Sequence, residues 1–270
     1  MTDLPINKIV CGDNVATMAT FPAELIDLVV TSPPYDNLRT YGGHTWDFEG
    51  VAQELWRVIK PGGVVVWVVA DATVNGSETG TSFRQALRFM EIGFRLHDTM
   101  IYQRNGLTFP ETNRYYPSFE YMFVISKGQP TKTNLIADKQ NKCAGQSLAS
   151  DTQRNADGTT SKTSGSRKSA LVKEFSVRGN VWLIETGFMK ASPDVIAYRH
   201  PATFPESLSR DHILSWSNEG DIVLDPFSGS GTTAKMAKHN GRRYIGIEIN
   251  PDYCEIAAKR LEQQVFEFGD

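Results

Sequence analysis

A glycine-rich turn between two apolar runs near the C-terminus places the strongest constraint on the fold of this chain. The segment DIVLDPFSGSGTTAKMAKHNGRRYIGIEIN (221–250) reads as a strand, a turn with Gly229 and Gly231, a helix from Thr232 and a second strand ending at Glu248. Glycines let a ligand approach the backbone, and the free N–H groups of a helix N-terminus attract an anion. The carboxylate of Glu248 can accept hydrogen bonds from ribose hydroxyls. The segment predicts a nucleotide-binding α/β fold.

Apolar, β-rich runs alternate with amphipathic runs along most of the chain, a pattern typical of an α/β domain with a parallel sheet. The predicted strands are Lys8–Cys11, Ile26–Thr31, Val64–Ala70, Thr99–Gln103, Glu120–Ile125, Ile222–Leu224 and Tyr244–Ile247. The predicted helices are Val51–Ile59, Ser82–Ile92, Glu206–Ser215, Thr232–His239 and Pro251–Gln264. The sequence KPGG (60–63) is expected to end one helix and to start the strand VVVWVVA, which reads as buried on both faces.

The position of the glycine turn separates two interpretations of it. Gly229, Gly231 and Ala234 satisfy the dinucleotide pattern G-x-G-x-x-A, so an NAD-dependent oxidoreductase is an alternative reading. Such an enzyme usually carries this unit early, whereas here only about twenty residues follow Glu248, enough for a single helix. The sheet must then be completed by strands from the N-terminal part. The order of elements therefore predicts a circularly permuted chain.

The composition limits the class of protein. The 270 residues, 40% hydrophobic and 22% charged, fit one sizeable domain or one domain with an insertion. No apolar run approaches the roughly 20 residues that span a bilayer, and the start MTDLPINKIV lacks the features of a signal peptide, so we expect a cytoplasmic protein. Three scattered cysteines fit neither a disulfide framework nor a zinc site, and no metal is predicted.

A basic segment interrupts the regular pattern. Between Lys127 and Arg178 the chain has ten basic and four acidic residues, although its overall net charge is −3. Between Gln129 and Ser169 small polar residues dominate and no apolar periodicity survives, so this part cannot form much core. A surface loop and a nucleic-acid-binding insertion are both open readings.

The apolar run Leu25–Val30 ends in a rigid corner, TSPPY (31–35). In isolation such a corner is typical of a strand terminator, because proline fixes φ and removes a hydrogen-bond donor. Here it occurs together with other segments, which are GDNVATMATFPAELIDLVVTSPPY (12–35), GNVWLIETG (179–187), HPATFPESL (200–208) and DPFSGSGTT (225–233) with GIEINPDY (246–253). In this combination and order the chain resembles the permuted, β-group S-adenosylmethionine-dependent DNA amino-methyltransferases, which methylate cytosine N4 or adenine N6.

The resemblance implies a Rossmann-like methyltransferase fold with S-adenosylmethionine as cofactor. By resemblance, Asp225 anchors the methionyl amino group, Asp13 lies at the adenine end of the pocket, and Phe204 with Pro205 contributes to its wall. The glycine turn receives the methionine part, with two threonine hydroxyls nearby, and Phe227 can pack against the cofactor. The cofactor-binding residues are then Asp13, Phe204, Asp225, Phe227, Gly229, Gly231, Thr232, Thr233 and Glu248.

The corner itself can perform the chemistry that the resemblance implies. The predicted catalytic residues are Ser32, Pro33, Pro34 and Tyr35. Ser32 Oγ and the Pro33 carbonyl can accept hydrogen bonds from an exocyclic amino group and make its nitrogen more nucleophilic, and Tyr35 offers a flat face to a base extruded from the duplex. Carbon-5 methylation is disfavoured because it needs a thiolate, and no cysteine lies in this corner. Adenine and cytosine remain about equally favoured as targets, and a catalytically inactive DNA-binding relative is a further alternative.

The remaining predictions concern DNA and partners. The segment DNLRTYGGHTWDF (36–48) is expected to form a mobile lid, although Tyr41 and Trp46 can equally be packing residues.

We divide the chain into a catalytic half (1–126), a basic inserted target-recognition region (127–185) and a cofactor-binding half (186–270). The resemblance implies a homodimer, and a cognate restriction endonuclease is possible. The candidate contacts to double-stranded DNA are Arg39, Arg104, Arg114, Arg167 and Lys168.

Overall fold

A computed structural model of the protein describes residues 4–35, 46–106, 113–146, 152–162 and 171–262. Its central feature is a mostly parallel eight-stranded sheet, as predicted. The strands, in chain order, are β1 (Lys8–Cys11), β2 (Ile26–Thr31), β3 (Ile59–Val69), β4 (Arg95–Arg104), β5 (Phe119–Ser126), β6 (Val181–Ile184), β7 (Ile222–Asp225) and β8 (Arg243–Glu248).

The strand order across the sheet is β1-β8-β7-β2-β3-β5-β4-β6. Only β5 runs antiparallel to its two neighbours, β3 and β4, and every other pair is parallel. Strand β7, which precedes the glycine turn, pairs with β2, which precedes the TSPPY corner, through Val223–Leu28 and Leu224–Val29. Strands from the two ends of the chain therefore complete one sheet and bring both motifs to the same edge.

Helices cover both faces of this sheet. The described α-helices are α1 (Asn14–Ala19), α2 (Phe48–Val58), α3 (Thr81–Ile92), α4 (Glu206–Trp216), α5 (Thr232–His239) and α6 (Pro251–Glu262), and Val195–Arg199 forms a 3₁₀ turn. One apolar cluster joins α1, α2 and α3 to one face, with Trp67 and Phe89 fully buried in it. A second joins α4, α5 and α6 to the other face around Leu208 and Ile213. Both faces of β3 are buried between these layers, as its apolar sequence predicted.

The KPGG sequence lies inside a strand, which differs from the prediction. Helix α2 ends at Val58, and β3 already runs from Ile59, with KPGG bulging out of its pairing with β2. Gly62 has a φ of +77°, and its N–H donates to the Lys127 carbonyl. A glycine in this left-handed conformation allows the bulge.

Among the strands of the eight-stranded sheet and the α-helices, two elements were absent from the sequence prediction. The six-residue helix α1 begins after Asp13, whose carboxylate accepts the Ala16 N–H at 2.8 Å and caps the helix. Strand β6 is four residues long and pairs with β4. Both are too short to give a periodic signal. Within the described ranges, no helix is long and apolar enough to cross a membrane.

Residues 135–179 form a second compact unit, while residues 1–134 and 180–270 form the first. Two small antiparallel ribbons occur in the second unit, Lys139–Gln140 with Phe175–Ser176 and Thr152–Arg154 with Thr160–Lys162. This unit is shorter than the predicted 127–185, whose last residues include β6. The functional division of the chain at those predicted boundaries stays a prediction.

Candidate functional site

A cavity of about 1130 Å³ opens at the edge where the parallel strands end. The turns after β1, β2, β7 and β8 all contribute to its wall, because the carboxyl ends of parallel strands lie at one edge of a sheet. Eleven of the thirteen predicted catalytic and cofactor-binding residues line it, namely Asp13, Ser32, Pro33, Pro34, Tyr35, Phe204, Asp225, Phe227, Gly229, Thr232 and Glu248.

A hydrogen bond between β2 and β7 joins the two halves of this site. The hydroxyl of Thr31 donates to Asp225 Oδ1 at 2.7 Å, at the last residue of each strand. The same carboxylate oxygen accepts the Phe227 N–H at 3.1 Å. Ser32 follows Thr31 directly, so the predicted catalytic corner begins beside the predicted cofactor carboxylate.

Asp225 is only 5% exposed, and this burial raises the pKa of its carboxyl group to about 6. Hydrogen bonds from Thr31 and the Phe227 N–H oppose the rise, and the negative charge of Glu248 adds to it. Within the described part of the chain, no cation lies within salt-bridge distance of Asp225. A buried carboxylate of this kind favours a positively charged group in the adjacent cavity.

Two glycines shape the turn between β7 and α5. Gly229 and Gly231 have φ values of +50° and +79°, a region that favours glycine. A Cβ on Gly231 would lie 2.8 Å from Ala257 Cβ on α6, and one on Gly229 would lie 3.0 Å from His200 Nε2. Gly231 does not line the cavity, and its role is to let α6 approach the turn.

Glu248 holds this turn in place. Its Oε2 accepts the Gly229 N–H at 2.8 Å, and its Oε1 accepts the Asn250 N–H at 2.9 Å. Glu248 also lines the cavity, and a carboxylate oxygen can accept more than one hydrogen bond. The geometry is compatible with the predicted ribose contact and adds a second task, which is to order the glycine turn.

The two predicted threonine hydroxyls face buried protein groups. Thr233 Oγ1 donates to the Val30 carbonyl at 3.1 Å, and Thr233 does not line the cavity. Thr232 lines the cavity, and its Oγ1 accepts from Arg260 at 3.0 Å. Thr233 therefore ties α5 to β2.

A buried ionic network supports the turn from behind. The guanidinium of Arg260 on α6 is fully buried and donates to the Ser230 carbonyl at 2.7 Å. It also pairs with Asp194 at 3.0 Å and with Glu206 at 2.7 Å, and Lys235 contacts the same two carboxylates. Burial alone would raise the pKa of Asp194, but hydrogen bonds and charges from Lys235 and Arg260 lower it. Asp194 therefore stays ionised beneath the turn.

The TSPPY corner carries a chain of polar contacts. Ser32 Oγ lies 2.8 Å from the Tyr35 hydroxyl, which donates to Glu120 Oε2 at 2.8 Å. Glu120 Oε1 lies 3.5 Å from Arg104 Nη1. Tyr102 lines the same cavity, and burial together with the Glu120 charge raises its pKa. The phenol ring of Tyr35 is thus held at its hydroxyl end.

The remaining predicted cofactor residues line the cavity and also contact neighbouring elements of the fold. Asp13 caps α1, and Phe204 packs against the apolar cluster of α4 and α5. Phe227 contacts Trp46 edge to face, with ring centroids 5.0 Å apart. Trp46 also packs near Trp67, with centroids 6.1 Å apart, so it serves as a packing residue as well as a lining residue.

The predicted DNA contacts fall into two groups. Arg104 pairs with Glu120 and donates to the Pro117 carbonyl at 2.6 Å, and Arg114 donates to Thr73 Oγ1 at 3.0 Å and to the Gly76 carbonyl at 2.6 Å. Both arginines line the cavity. Arg39, Arg167 and Lys168 lie outside the described residues, as do residues 36–45 of the predicted lid, including Tyr41.

Three residues of the site, Glu120, Arg260 and Thr31, were not predicted from the sequence. Glu120 is the only acidic residue in the otherwise apolar strand β5, and Arg260 is the one cation on the buried side of α6 within its described length. A charge within an apolar pattern is the signal that marks both. Thr31 carried no signal, because its partner Asp225 is 194 residues away.

The residues fit S-adenosylmethionine. Its methionyl part carries an ammonium group, which suits the buried Asp225 carboxylate, and the turn at Gly229 offers a close approach that a Cβ would fill. The carboxylate of Glu248 lines the same cavity and is an acceptor of the kind that ribose hydroxyls bind. These groups therefore suit a nucleoside ligand whose tail carries a positive charge.

Comparisons with known proteins show the family of the chain. The family of N6/N4 DNA methylases matches residues 26–259. The orphan methyltransferase M.BamHII of Bacillus amyloliquefaciens is 58% identical over 241 residues, which cover 89% of this chain and 90% of that protein.

Two solved structures have the same fold. The cytosine-N4-specific PvuII DNA methyltransferase has a TM-score of 0.69 at 20% identity, covering 95% of this chain and 86% of the other. TTHA0409 of Thermus thermophilus, solved in complex with S-adenosyl-L-methionine, has a TM-score of 0.63 at 27% identity, and the match covers 97% of each chain. The protein belongs to the N6/N4 DNA methylase family, and S-adenosylmethionine is its methyl donor.

Proposed function

We propose that this DNA methyltransferase transfers a methyl group to the exocyclic amino nitrogen of one base, adenine N6 or cytosine N4, at a specific site in double-stranded DNA. The bond between Thr31 and Asp225 is the observation that carries the proposal. It brings Ser32 and the Pro33 carbonyl, which can receive an amino group, next to the carboxylate that suits the cofactor. Both lie in one cavity.

We infer the following division of labour for the cofactor. Asp225 holds the ammonium group of its methionyl part, the turn at Gly229 and the N-terminus of α5 receive the carboxylate end, and Glu248 accepts from the ribose. S-adenosylmethionine, when bound, supplies an electrophilic methyl group on a sulfonium. Asp13 and Phe204 are assigned to the adenine end.

The corner residues act on the target base. The lone pair of an exocyclic amino nitrogen is delocalised into the ring, so the group is a poor nucleophile. Acceptance of its two N–H bonds by Ser32 Oγ and the Pro33 carbonyl favours a tetrahedral nitrogen with a localised lone pair. Pro34 makes the corner rigid, and the Tyr35 ring stacks on the extruded base. No covalent intermediate between protein and base is required.

The test is direct analysis of methylated DNA. The protein is incubated with duplex DNA and S-adenosylmethionine, the DNA is digested to nucleosides, and N4-methylcytosine and N6-methyladenine are measured by mass spectrometry. Appearance of either supports the proposal and identifies the base. Absence of both on every DNA would favour the inactive DNA-binding relative and end the proposal.

Ser32→Ala provides the matching prediction for the mechanism. Removal of the hydroxyl acceptor should lower kcat about 100-fold, the scale of losing one positioned hydrogen-bonding group in an active site. The affinity for S-adenosylmethionine, measured by calorimetry, should remain within about twofold because no contact of the inferred cofactor site is lost. Ser32→Ala with full activity would remove Ser32 from the mechanism.

The finer predictions on organisation belong to the same proposal. We propose the basic region 127–185 as the target-recognition region, a homodimer as the oligomeric state, a cytoplasmic location and a circularly permuted order of the two halves. M.BamHII is named an orphan methyltransferase, whereas the relative M.SmaI of Serratia marcescens is named a Type II methyltransferase. A genomic search for an adjacent endonuclease gene tests the predicted restriction partner.

A further inference from the structure

Four polar groups form a continuous chain at the catalytic corner. Ser32 Oγ and the Tyr35 hydroxyl are 2.8 Å apart, and the Tyr35 hydroxyl and Glu120 Oε2 are also 2.8 Å apart. The other carboxylate oxygen of Glu120 faces Arg104 Nη1 at 3.5 Å. The side chain of Glu120 is 15% exposed, so its carboxylate is largely withdrawn from water.

The direction of the protons in this chain follows from the capacity of each group. An ionised carboxylate can only accept, and an adjacent guanidinium, which is always protonated, favours the ionised form. The single proton of the Tyr35 hydroxyl therefore points to Glu120. Because that proton is used, the Tyr35 oxygen can only accept from Ser32, and the single proton of Ser32 points to Tyr35.

This direction decides what Ser32 offers to a bound base. With its proton turned to Tyr35, Ser32 Oγ presents lone pairs alone to an incoming amino group, which is a donor. A serine hydroxyl free to rotate could instead donate to the nitrogen lone pair and so block methyl transfer. The corner needs a group that fixes this rotation.

We propose that Glu120 is a positioning residue that acts through the Tyr35 hydroxyl to keep Ser32 Oγ a hydrogen-bond acceptor for the target amino group. The inference rests on the proposed function of this site. Arg104 belongs to the same chain, because it fixes which oxygen of Glu120 remains for Tyr35. A role in this chain is distinct from a contact to DNA phosphate.

Glu120→Gln tests the proton direction with a minimal change of shape. The position facing Arg104 must hold the amide oxygen, since a guanidinium only donates, and the amide NH₂ then faces Tyr35. The amide donates to the Tyr35 oxygen, the Tyr35 proton turns to Ser32, and Ser32 can donate to the base. Single-turnover methylation should slow between about tenfold and a hundredfold.

The binding constants separate this role from a structural one. The dissociation constants for S-adenosylmethionine and for the methylated duplex should stay within about twofold of the wild type, so that the loss falls on kcat and not on KM. Glu91→Gln on α3 is the matched control, because Glu91 is also paired with an arginine but lies outside the cavity lining. Its rate should equal that of the wild type.

A double-mutant cycle with Tyr35→Phe decides the route. Phenylalanine keeps the ring for stacking but removes the hydroxyl, so Glu120→Gln should cost less than about twofold in that background. A full additional loss there, or an unchanged rate in Glu120→Gln alone, would overturn the proposal while the proposed function stands. Absence of methylated nucleosides with the wild type would overturn both. Thermal unfolding of each variant is measured alongside, and a variant with a lowered Tm is replaced by Glu120→Ala, for which the same non-additivity is expected.

Discussion

At the residue scale, the site is organised around a buried carboxyl group, Asp225. Its surroundings supply hydrogen bonds from Thr31 and the Phe227 N–H, and within the described ranges no positive charge accompanies it. An ionised carboxylate in such a place is unfavourable until a cation arrives. The buried carboxylate therefore lowers the stability of the free protein, and the same carboxylate favours binding of a positively charged cofactor. Such perturbed groups are common at functional sites.

Asp225→Asn should therefore stabilise the free protein and weaken cofactor binding. Burial raises the pKa of Asp225 from 3.8 to about 6, so the native state holds this proton more tightly than the unfolded state. The destabilisation is absent below pH 3.8, grows as the pH rises to 6 and is complete above it, reaching on the order of 3 kcal/mol at most. The free energy of unfolding of Asp225→Asn should exceed that of the wild type by more at pH 8 than at pH 5, as measured by urea denaturation.

Asp98→Asn serves as the control for this prediction, because Asp98 lies on β4 outside the cavity. It should change the free energy of unfolding by less than about 0.5 kcal/mol at both pH values. Equal stability of Asp225→Asn and wild type at pH 8 would show that the buried carboxylate carries no such cost. Calorimetry should show a loss of S-adenosylmethionine affinity in Asp225→Asn but not in Asp98→Asn.

At the scale of elements, the glycine turn is fixed between α5, β8 and α6. Glu248 at the end of β8 holds the Gly229 N–H, and Arg260 on α6 holds the Ser230 carbonyl. Gly231 lets α6 come close enough for this contact. The turn is thus preorganised by three elements, and its conformation depends on α6, the last described helix.

Gly231→Ala should destabilise the fold by two separable effects. The φ of +79° costs an alanine about 1–2 kcal/mol, and its Cβ at 2.8 Å from Ala257 Cβ adds a steric cost of about 1–3 kcal/mol. Gly158→Ala is the matched control, because Gly158 has a φ of +84° and open space around the added Cβ. The difference between the two variants in urea denaturation measures the packing of α6. Equal losses would contradict this account of Gly231.

Arg260→Met should be more harmful than the loss of an ordinary surface cation. Removal of the buried guanidinium leaves Asp194 and Glu206 with Lys235 alone, a change that typically costs about 3–5 kcal/mol. The lowered pKa of Asp194 keeps this network intact above pH 3.8, and its contribution is lost as the pH falls through the lower folded-state pKa. The full destabilisation by Arg260→Met should therefore be measurable by urea denaturation at pH 7, where the network of the wild type is intact.

Lys259→Met provides the comparison on the same helix. Lys259 is exposed and pairs only with Glu255 among the described residues, so its replacement should cost less than about 1 kcal/mol. Arg260→Met should also weaken S-adenosylmethionine binding, because the Ser230 carbonyl loses its donor. A similar effect of both substitutions would argue against a supporting role of the network.

At the scale of the whole molecule, the chain divides into two compact units. The first contains the sheet, both apolar clusters and every residue that lines the cavity. The second, residues 135–179, contains only two short ribbons among its described residues, and its composition is basic. Cofactor binding should therefore depend on the first unit alone.

Neutralisation of the second unit should weaken DNA binding selectively. Replacement of Lys139, Lys142, Arg154 and Lys173, all exposed, by glutamine should lower duplex affinity and reduce the slope of log K against log salt by about one per lost phosphate contact. The matched control replaces four exposed cations of the first unit, Lys8, Arg95, Lys190 and Lys259. Affinity for S-adenosylmethionine should not change in either variant. Equal salt slopes in both would contradict the predicted target-recognition region.

Much of the fold followed from local patterns. The glycine turn, the alternation of strands and helices and the burial of β3 were all confirmed, because apolar periodicity and turn residues report directly on secondary structure. The prediction that N-terminal strands complete the sheet was also confirmed, because β2 pairs with β7. The family was also correctly predicted from the combination of motifs.

What the sequence determined by itself was therefore the class of fold, the family and, through the family, the cofactor, since these are carried by short motifs that are each local in the chain. Tertiary structure alone decided which side chains meet. Thr31 with Asp225, Tyr35 with Glu120 and Arg260 with Ser230 are separated by 194, 85 and 30 residues. Hydrogen bonds between distant residues depend on strand order and helix packing, which no local pattern encodes.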